Sequence, residues 1–136
     1  MLAGVTDTHA LIWFATNKHA KIGEKARKFF AAADRKDGSG IVTVPTVVLH
    51  EVSSLIIANK IKLGSDFSEW IKTLDKHGYF KILDVTAEMI VNSHSFQAIK
   101  DPFDRLIMGC SDLLQQPLLT DDDTITESNV VEVIWD

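Results

Sequence analysis

Four acidic side chains occupy sequence positions that are typical of a functional site. Asp7 and Asp122 each follow a short apolar segment, whereas Asp104 lies in the motif DPFDR. Glu51 interrupts the otherwise apolar run VVLHEVSSLII, where a buried, unpaired charge would be strongly destabilising. Carboxylates that converge within a few ångströms repel one another, and a divalent cation relieves that repulsion. These residue types therefore predict an acidic cluster that binds a cation.

The chemistry that such a cluster supports is hydrolysis of a phosphodiester. Mg²⁺ and Mn²⁺ prefer hard oxygen ligands and keep some of their bound waters. A metal held in this way polarises the phosphodiester, lowers the pKa of a water molecule and stabilises the leaving oxygen. The reaction then needs carboxylates, metal and water, but no covalent nucleophile. A metal-dependent nuclease is therefore one function that these residue types could serve.

Each of these acids also has an ordinary structural interpretation when it is considered alone. Asp7 could cap the helix that follows it, and Asp104 could stabilise a helix N-terminus. Asp101 is expected to be a cap or turn residue rather than a ligand, and most of Asp121–Asp123 are expected to be solvated turn residues. Glu51 is the acid for which a purely structural role is hardest to find. The indication of function thus comes from the joint placement of the acids.

The elements that would position these acids alternate between short apolar strands and amphipathic helices. The predicted strands are Leu2–Thr6, Ile41–Val44, Phe80–Val85, Pro117–Thr120 and Val130–Trp135. The predicted helices are one that starts at Thr8, followed by Ile22–Ala33, Pro45–Lys60, Asp66–His77, Thr86–Ser95 and Pro102–Gln115. Such alternation is typical of a parallel sheet covered by helices on both faces. We therefore expect one α/β domain that spans residues 1–136.

Two of the acids fall where a parallel sheet places its binding sites. In such sheets, ligands bind just beyond the carboxyl ends of the strands. Asp7 directly follows the first predicted strand, and Asp122 comes just after the fourth. Both carboxylates are therefore expected at the same edge of the sheet.

The composition is close to that of an ordinary globular protein. The chain has 136 residues, of which 46% are hydrophobic and 24% charged, and its net charge is −5. This charge argues against a surface coated with lysines, but it does not exclude a nucleic-acid enzyme whose acids bind metal. The single cysteine, Cys110, excludes an internal disulfide and is expected to be a buried, inert thiol. With no basic leader and no apolar run of about 20 residues, we expect a cytoplasmic protein without a membrane segment.

Four sequence motifs together resemble the PIN-domain proteins, and most closely their VapC branch, the toxins of bacterial and archaeal toxin–antitoxin pairs. The motifs are DTHALIWF, HEVSSL, DPFDRLIMG and LLTDDDTI, and they cover essentially the whole chain in this order. The resemblance implies a ribonuclease that needs Mg²⁺ or Mn²⁺. It also implies a three-layer α/β/α fold around a central, mostly parallel sheet of about four or five strands.

The same resemblance implies the partners of the protein. They are an RNA substrate, a second copy of the chain in a homodimer, and a small antitoxin, one segment of which blocks the acidic pocket. Trp13, Phe14 and Trp70 could serve such contacts. Burial in the core is the favoured expectation for Trp13, because large aromatic side chains are mostly buried.

The resemblance also implies which residues form the site. The acidic positions of the family correspond to Asp7, Glu51, Asp104 and Asp122. Thr120 matches the small hydroxyl residue of the T-x-D pattern, and Asp101 matches a frequent but less central acid. Arg105 could contact an RNA phosphate, although pairing with a neighbouring acid is the favoured expectation.

One position departs from the pattern of the family. Close relatives often have a histidine two residues before DPFDR, and Ile99 stands there in this chain. His94 is nearby but displaced in sequence, so a histidine role at this point is in doubt. His50, next to Glu51, is expected to point to another side of its helix and to be structural.

These residues lead to a mechanistic hypothesis. Asp7, Asp104 and Asp122 hold a divalent ion directly or through water. Glu51 completes the coordination shell or orients the attacking water. The metal-activated water attacks the phosphorus in line and leaves a 5′-phosphate and a 3′-hydroxyl.

Three other functions are compatible with parts of the sequence. A haloacid-dehalogenase-like phosphatase requires a second Asp two residues after the nucleophile, and His9 occupies that position. A receiver-like signalling module requires adjacent acids after the first strand, but Thr6 precedes Asp7, although Asp84 could serve as a phosphoacceptor. The third is an inactive PIN domain that binds RNA or a partner, and the intact set of acids argues against it.

Overall fold

Five parallel strands form the centre of the computed structural model, which describes residues 1–136. The strands are β1 (Leu2–Thr6), β2 (Gly40–Pro45), β3 (Phe80–Leu83), β4 (Leu118–Leu119) and β5 (Val133–Ile134). They lie in the order β3-β2-β1-β4-β5, and every neighbouring pair is parallel. The expected parallel sheet is thus confirmed, and it contains five strands.

Seven helices flank this sheet and complete the three-layer α/β/α architecture. They are α1 (Thr8–Ala15), α2 (Glu24–Asp34), α3 (Thr46–Ile57), α4 (Phe67–His77), α5 (Ala87–Ser93), α6 (Pro102–Leu114) and α7 (Asp123–Ser128). A short 3₁₀ turn, His19–Lys21, follows α1. None of these helices combines the length and the apolar character needed to cross a membrane.

The strand order creates a crevice next to β1. The chain adds β2 and then β3 on one side of β1, and afterwards crosses over to add β4 and β5 on the other side. In an open α/β sheet, the two crossovers at such a reversal point leave a crevice outside the carboxyl ends of the central strands. Here the crevice lies beyond the ends of β1 and β4, where Thr6 is in register with Leu119.

One apolar core holds these elements together. It consists of 25 buried hydrophobic residues, most of them from the sheet and from its covering helices. Cys110 belongs to this core, and its Sγ lies 3.5 Å from Sδ of Met89. Burial raises the pKa of the Cys110 thiol to about 11, so the thiolate is not formed at neutral pH. This confirms the expectation of a buried, inert cysteine.

The ends of several elements differ from the sequence-based prediction. The fourth and fifth strands are shorter than predicted. They pair with each other only over Leu118–Leu119 and Val133–Ile134. Pro45 ends β2 instead of opening α3, since a proline without an N–H can still occupy the extended position before a helix. The prediction of Thr86 as a helix cap is confirmed, because its hydroxyl accepts a hydrogen bond from the Met89 N–H at 3.2 Å.

Candidate active site

A cavity of about 310 Å³ opens at the carboxyl edge of the sheet, at the reversal point between β1 and β4. Six of its nine lining residues are carboxylates, and none is a lysine or an arginine. The lining residues are Asp7, Thr8, His9, Trp13, Glu51, Asp101, Asp104, Asp121 and Asp122. The structure therefore brings the four predicted acids together on one surface. We call this the acidic cavity.

Asp7 is held by hydrogen bonds to both oxygens of its carboxylate. It directly follows β1 and caps α1, because its Oδ1 accepts a hydrogen bond from the Ala10 N–H at 2.9 Å. Its Oδ2 accepts a hydrogen bond from the Thr120 hydroxyl at 2.6 Å. Capping and placement in the acidic cavity are thus compatible, since each carboxylate oxygen retains a lone pair.

Thr120 connects the ends of the two central strands. It is buried and directly follows β4, in a position that continues the register between Thr6 and Leu119. Besides donating to Asp7, its Oγ1 accepts a hydrogen bond from the Asp122 N–H at 3.2 Å. The hydroxyl predicted from the T-x-D pattern therefore links two of the predicted acids.

Two other acids of the cavity cap helices as well. Oδ1 of Asp122 accepts a hydrogen bond from the Ile125 N–H at 2.9 Å and so starts α7. Oδ1 of Asp101 accepts hydrogen bonds from the N–H groups of Phe103 and Asp104, at 2.8 and 3.3 Å, and so starts α6. The Asp101 cap fixes the first turn of α6, which carries Asp104 into the cavity.

Glu51 reaches the acidic cavity from α3, where it is partly buried. Its Oε1 accepts a short hydrogen bond from the hydroxyl of Thr8, the first residue of α1. The Thr8 hydroxyl is the partner that a carboxylate in an apolar helix requires. Thr8 is 98% buried and was not predicted as a site residue.

The carboxylates in this cavity disfavour one another's ionisation. Burial raises the pKa of Asp7 to about 6, although the hydrogen bond from Thr120 opposes this rise. The pKa of Asp104 is raised to about 7, first by burial and then by the charges of the neighbouring carboxylates. These neighbours are Asp101, Asp122, Glu51 and Asp7. The repulsion expected from the sequence is therefore present in the folded chain.

Arg105 has a structural role that the sequence did not suggest. Its Nη1 donates hydrogen bonds to the carbonyl oxygens of Ile99 and Lys100, at 2.7 and 3.0 Å. It forms no ion pair, so the expected pairing with a neighbouring acid is wrong. Its guanidinium therefore fixes the loop that leads into Asp101 and α6. Ile99, which replaces a histidine of the family pattern, is buried, and His94 is exposed and outside the acidic cavity.

Sequence reasoning set aside two acids that the structure places in the cavity. Asp101 and Asp121 both line it, whereas Asp123 does not. His9 and Trp13 also line it and were not predicted there; their ring centroids lie 5.9 Å apart. The motif DTHALIW offered a signal for both, because helix positions 9 and 13 share one face of α1.

The model of the PIN domain matches residues 5–128, which include all six carboxylates of the acidic cavity. The chain belongs to the PIN-domain family. No curated protein matches its sequence significantly.

Solved structures share the fold of this PIN domain at low sequence identity. DNA-bound VapBC from Salmonella typhimurium is 15% identical, with 98% of both chains covered and a TM-score of 0.68. VapBC2 from Rickettsia felis, bound to a promoter DNA fragment, is also 15% identical, with 99% of this chain and 100% of that chain covered and a TM-score of 0.68. VapC20 from Mycobacterium tuberculosis, a toxin that cleaves the sarcin–ricin loop, is 14% identical, with 95% and 97% covered and a TM-score of 0.62.

The donor set of the acidic cavity fits a hard divalent cation that keeps much of its water. All six acids offer oxygen ligands, and a cation would offset both the burial and the neighbouring charges that raise the pKa of Asp104. No three His, Cys, Asp or Glu side chains form a ready-made metal cage in this PIN domain. Mg²⁺ is commonly bound through one or two carboxylates and several waters, together with substrate phosphate, and so does not require such a cage.

Proposed function

We propose that this PIN domain is a Mg²⁺- or Mn²⁺-dependent endoribonuclease and the toxin of a toxin–antitoxin pair. The observation that carries the proposal is the convergence of Asp7, Glu51, Asp104 and Asp122 on one open cavity at the carboxyl edge of the sheet. Burial, together with the charges of the neighbouring carboxylates, raises the pKa of Asp104 to about 7, a perturbation of the kind that clusters at functional sites.

The proposed metal ligands are Asp7, Asp104 and Asp122, acting directly or through water. A divalent ion bound there would polarise the phosphodiester and lower the pKa of the attacking water. Asp7 is oriented for this role by the Ala10 N–H and the Thr120 hydroxyl, which occupy one lone pair on each of its oxygens. Asp104 is oriented by the first turn of α6, which Asp101 caps.

Glu51 completes the ligand shell or orients the attacking water in this proposal. One of its oxygens accepts the hydrogen bond from Thr8, so the second oxygen is available to a water in the cavity. The water oxygen bonds to phosphorus, its proton passes to a carboxylate, and the bond between phosphorus and O3′ breaks. The O3′ leaving group takes up a proton, so the products are a 5′-phosphate and a 3′-hydroxyl.

The toxin assignment also implies partners and a location. The neighbours from Salmonella typhimurium and Rickettsia felis are VapBC toxin–antitoxin complexes, and the motifs of this chain resemble the VapC branch. We therefore propose that an antitoxin covers the acidic cavity, that the toxin forms a homodimer, and that it acts on RNA in the cytoplasm.

The test is cleavage of a mixed RNA pool by the purified chain in Mg²⁺, in Mn²⁺ and in EDTA. We expect cleavage with either metal, none in EDTA, and 5′-phosphate ends on the products. Asp7→Asn and Asp104→Asn should abolish cleavage. Asp123→Asn is the matched control, because Asp123 belongs to the same acidic run but lies outside the acidic cavity.

Two results would contradict the proposal. Full activity of Asp7→Asn in Mg²⁺ would exclude the proposed ligand set. Binding of RNA without cleavage in either metal would favour the inactive, RNA-binding PIN domain.

The receiver-like alternative has less support, because Asp84 is exposed beyond β3 and outside the acidic cavity. The strand order also differs from the 2-1-3-4-5 order of receiver domains.

A further inference from the structure

A second cavity adjoins the acidic cavity and carries the opposite charge. It has a volume of about 520 Å³ and lies between α1, the C-terminal turn of α3 and the segment that follows α3. Its lining includes Lys18, Lys60 and Lys62 and no carboxylate. We call it the lysine groove. Such a concentration of cations is unexpected in a chain whose net charge is −5.

The lysines of this groove form no salt bridge within the protein. All three are exposed, and none forms an ion pair with an Asp or Glu side chain. Lys18 and Lys60 each follow a left-handed asparagine that reverses the chain after a helix. These are Asn17, at φ 58°, after α1, and Asn59, at φ 57°, after α3. The charge of the lysines is therefore directed at a ligand or at solvent.

The two cavities share two lining residues. His9 and Trp13 line both of them, so the acidic cavity and the lysine groove are neighbours on the surface, and one strand of nucleic acid could occupy both. The floor of the groove includes the apolar side chains of Ile12, Leu55 and Ile61. Aromatic and apolar surfaces next to cations are the combination that binds single-stranded nucleic acid, through its base faces and its phosphates respectively.

We infer that the lysine groove binds the stretch of single-stranded RNA that flanks the scissile phosphate. Lys18, Lys60 and Lys62 contact backbone phosphates, and Trp13 offers its indole to a base next to the cleavage point. The groove offsets the repulsion between the RNA and the six carboxylates of the acidic cavity. The inference rests on the proposed ribonuclease function and identifies where that enzyme holds its substrate.

The experiment measures binding of a fluorescently labelled 12-nucleotide single-stranded RNA of mixed sequence, in Mg²⁺. An Asp104→Asn background keeps the RNA intact, which a gel confirms. Lys60→Ala/Lys62→Ala is compared with Lys25→Ala/Lys28→Ala, a double variant with the same charge change on α2, outside both cavities. All four lysines are exposed, so both double variants should fold normally.

We expect the groove variant to raise Kd about tenfold at 0.1 M salt, and the control variant to leave it within about twofold. The slope of log Kd against log salt concentration should decrease by about 1.4 in the groove variant, since each phosphate contact of a single strand contributes about 0.7. In the enzyme with Asp104 intact, the groove variant should raise KM and leave kcat unchanged.

Unchanged RNA affinity in the groove variant would overturn the inference and leave the groove to another occupant, such as an acidic polypeptide. An equal loss in both double variants would also overturn it, because the effect would then be one of net charge. Failure of the proposed function has a different signature. In that case the chain with Asp104 intact cuts no RNA in either metal, whatever its affinity.

Discussion

The hydroxyl of Thr120 donates a hydrogen bond of 2.6 Å to Oδ2 of Asp7, across 113 residues of sequence. This bond joins the carboxyl ends of β1 and β4, the two strands at which the sheet order reverses. It favours the charged form of Asp7, whose pKa burial raises to about 6. The fold thereby keeps a largely buried carboxylate ionised at neutral pH, as a metal ligand requires.

Thr120→Val should lower the activity and move its pH dependence. Valine has nearly the shape of threonine but donates no hydrogen bond, so the pKa of Asp7 rises above 6. We expect kcat/KM at pH 7 to fall about tenfold, in line with the loss of one hydrogen bond to a charged group. The acidic limb of the pH–rate profile should shift to higher pH. Thr120→Ser is the control and should keep both near wild type.

The metal-free protein should be more stable at pH 5 than at pH 8. The pKa values of Asp7 and Asp104 are raised from 3.8 to about 6 and about 7, so over this window the folded chain holds protons that the unfolded chain has released. Stability therefore falls as the pH rises from about 4 to about 7 and is constant above. Thermal unfolding in EDTA across this range measures the effect. A Tm that rises with pH over the same window would contradict it.

Asp104→Asn should stabilise the metal-free protein at pH 8. The substitution removes a charge that burial disfavours and that the neighbouring carboxylates repel, whereas the amide keeps the shape of the side chain. We expect a gain of about 1–2 kcal/mol, less than the full linkage value because solvent screens the partly exposed Asp104. At pH 4.5 the gain should vanish, since the wild-type carboxyl is then protonated. Asp123→Asn, on an exposed side chain, should change Tm little at either pH.

Divalent metal should reverse this pH dependence. A cation that binds the folded chain at 100 times its Kd stabilises it by about 2.7 kcal/mol. Because the ligands must be ionised, the increase in Tm caused by Mg²⁺ or Mn²⁺ should be larger at pH 8 than at pH 5. Asp7→Asn and Asp104→Asn should lose most of the increase. An equal increase in all variants would indicate that the metal binds outside the acidic cavity.

The strand-end acids could be predicted because their position depends on local sequence. An Asp that follows a short apolar strand reaches the carboxyl edge of a parallel sheet whatever the remaining topology. This was sufficient for Asp7 and Asp122. Glu51 was recognised for a different reason, because a carboxylate within an apolar helix needs a partner.

Other parts of the site depend on packing between distant segments. The bond from Thr8 to Glu51 spans 43 residues and exists only because α1 and α3 are neighbours, which no local pattern encodes. Asp101 and Asp121 were assigned to caps or turns, but a cap uses only one oxygen and leaves the carboxylate able to line a cavity. Helix α7 was missed because its six residues lie in a polar run that is typical of a turn.

Glu51→Gln should separate the two roles proposed for Glu51. Thr8 occupies one carboxylate oxygen, and Glu51 approaches from α3, whereas the three proposed Asp ligands lie after β1, at the start of α7 and in the first turn of α6. We therefore expect Glu51 to orient the attacking water and accept its proton. The increase in Tm with Mg²⁺ should then be nearly retained, whereas kcat should fall about 100-fold or more, the usual effect of losing a general base. Thr8→Val should give a smaller loss of kcat with KM unchanged, and Thr8→Ser should restore it. Loss of the Mg²⁺-dependent increase in Tm in Glu51→Gln would instead identify Glu51 as a metal ligand.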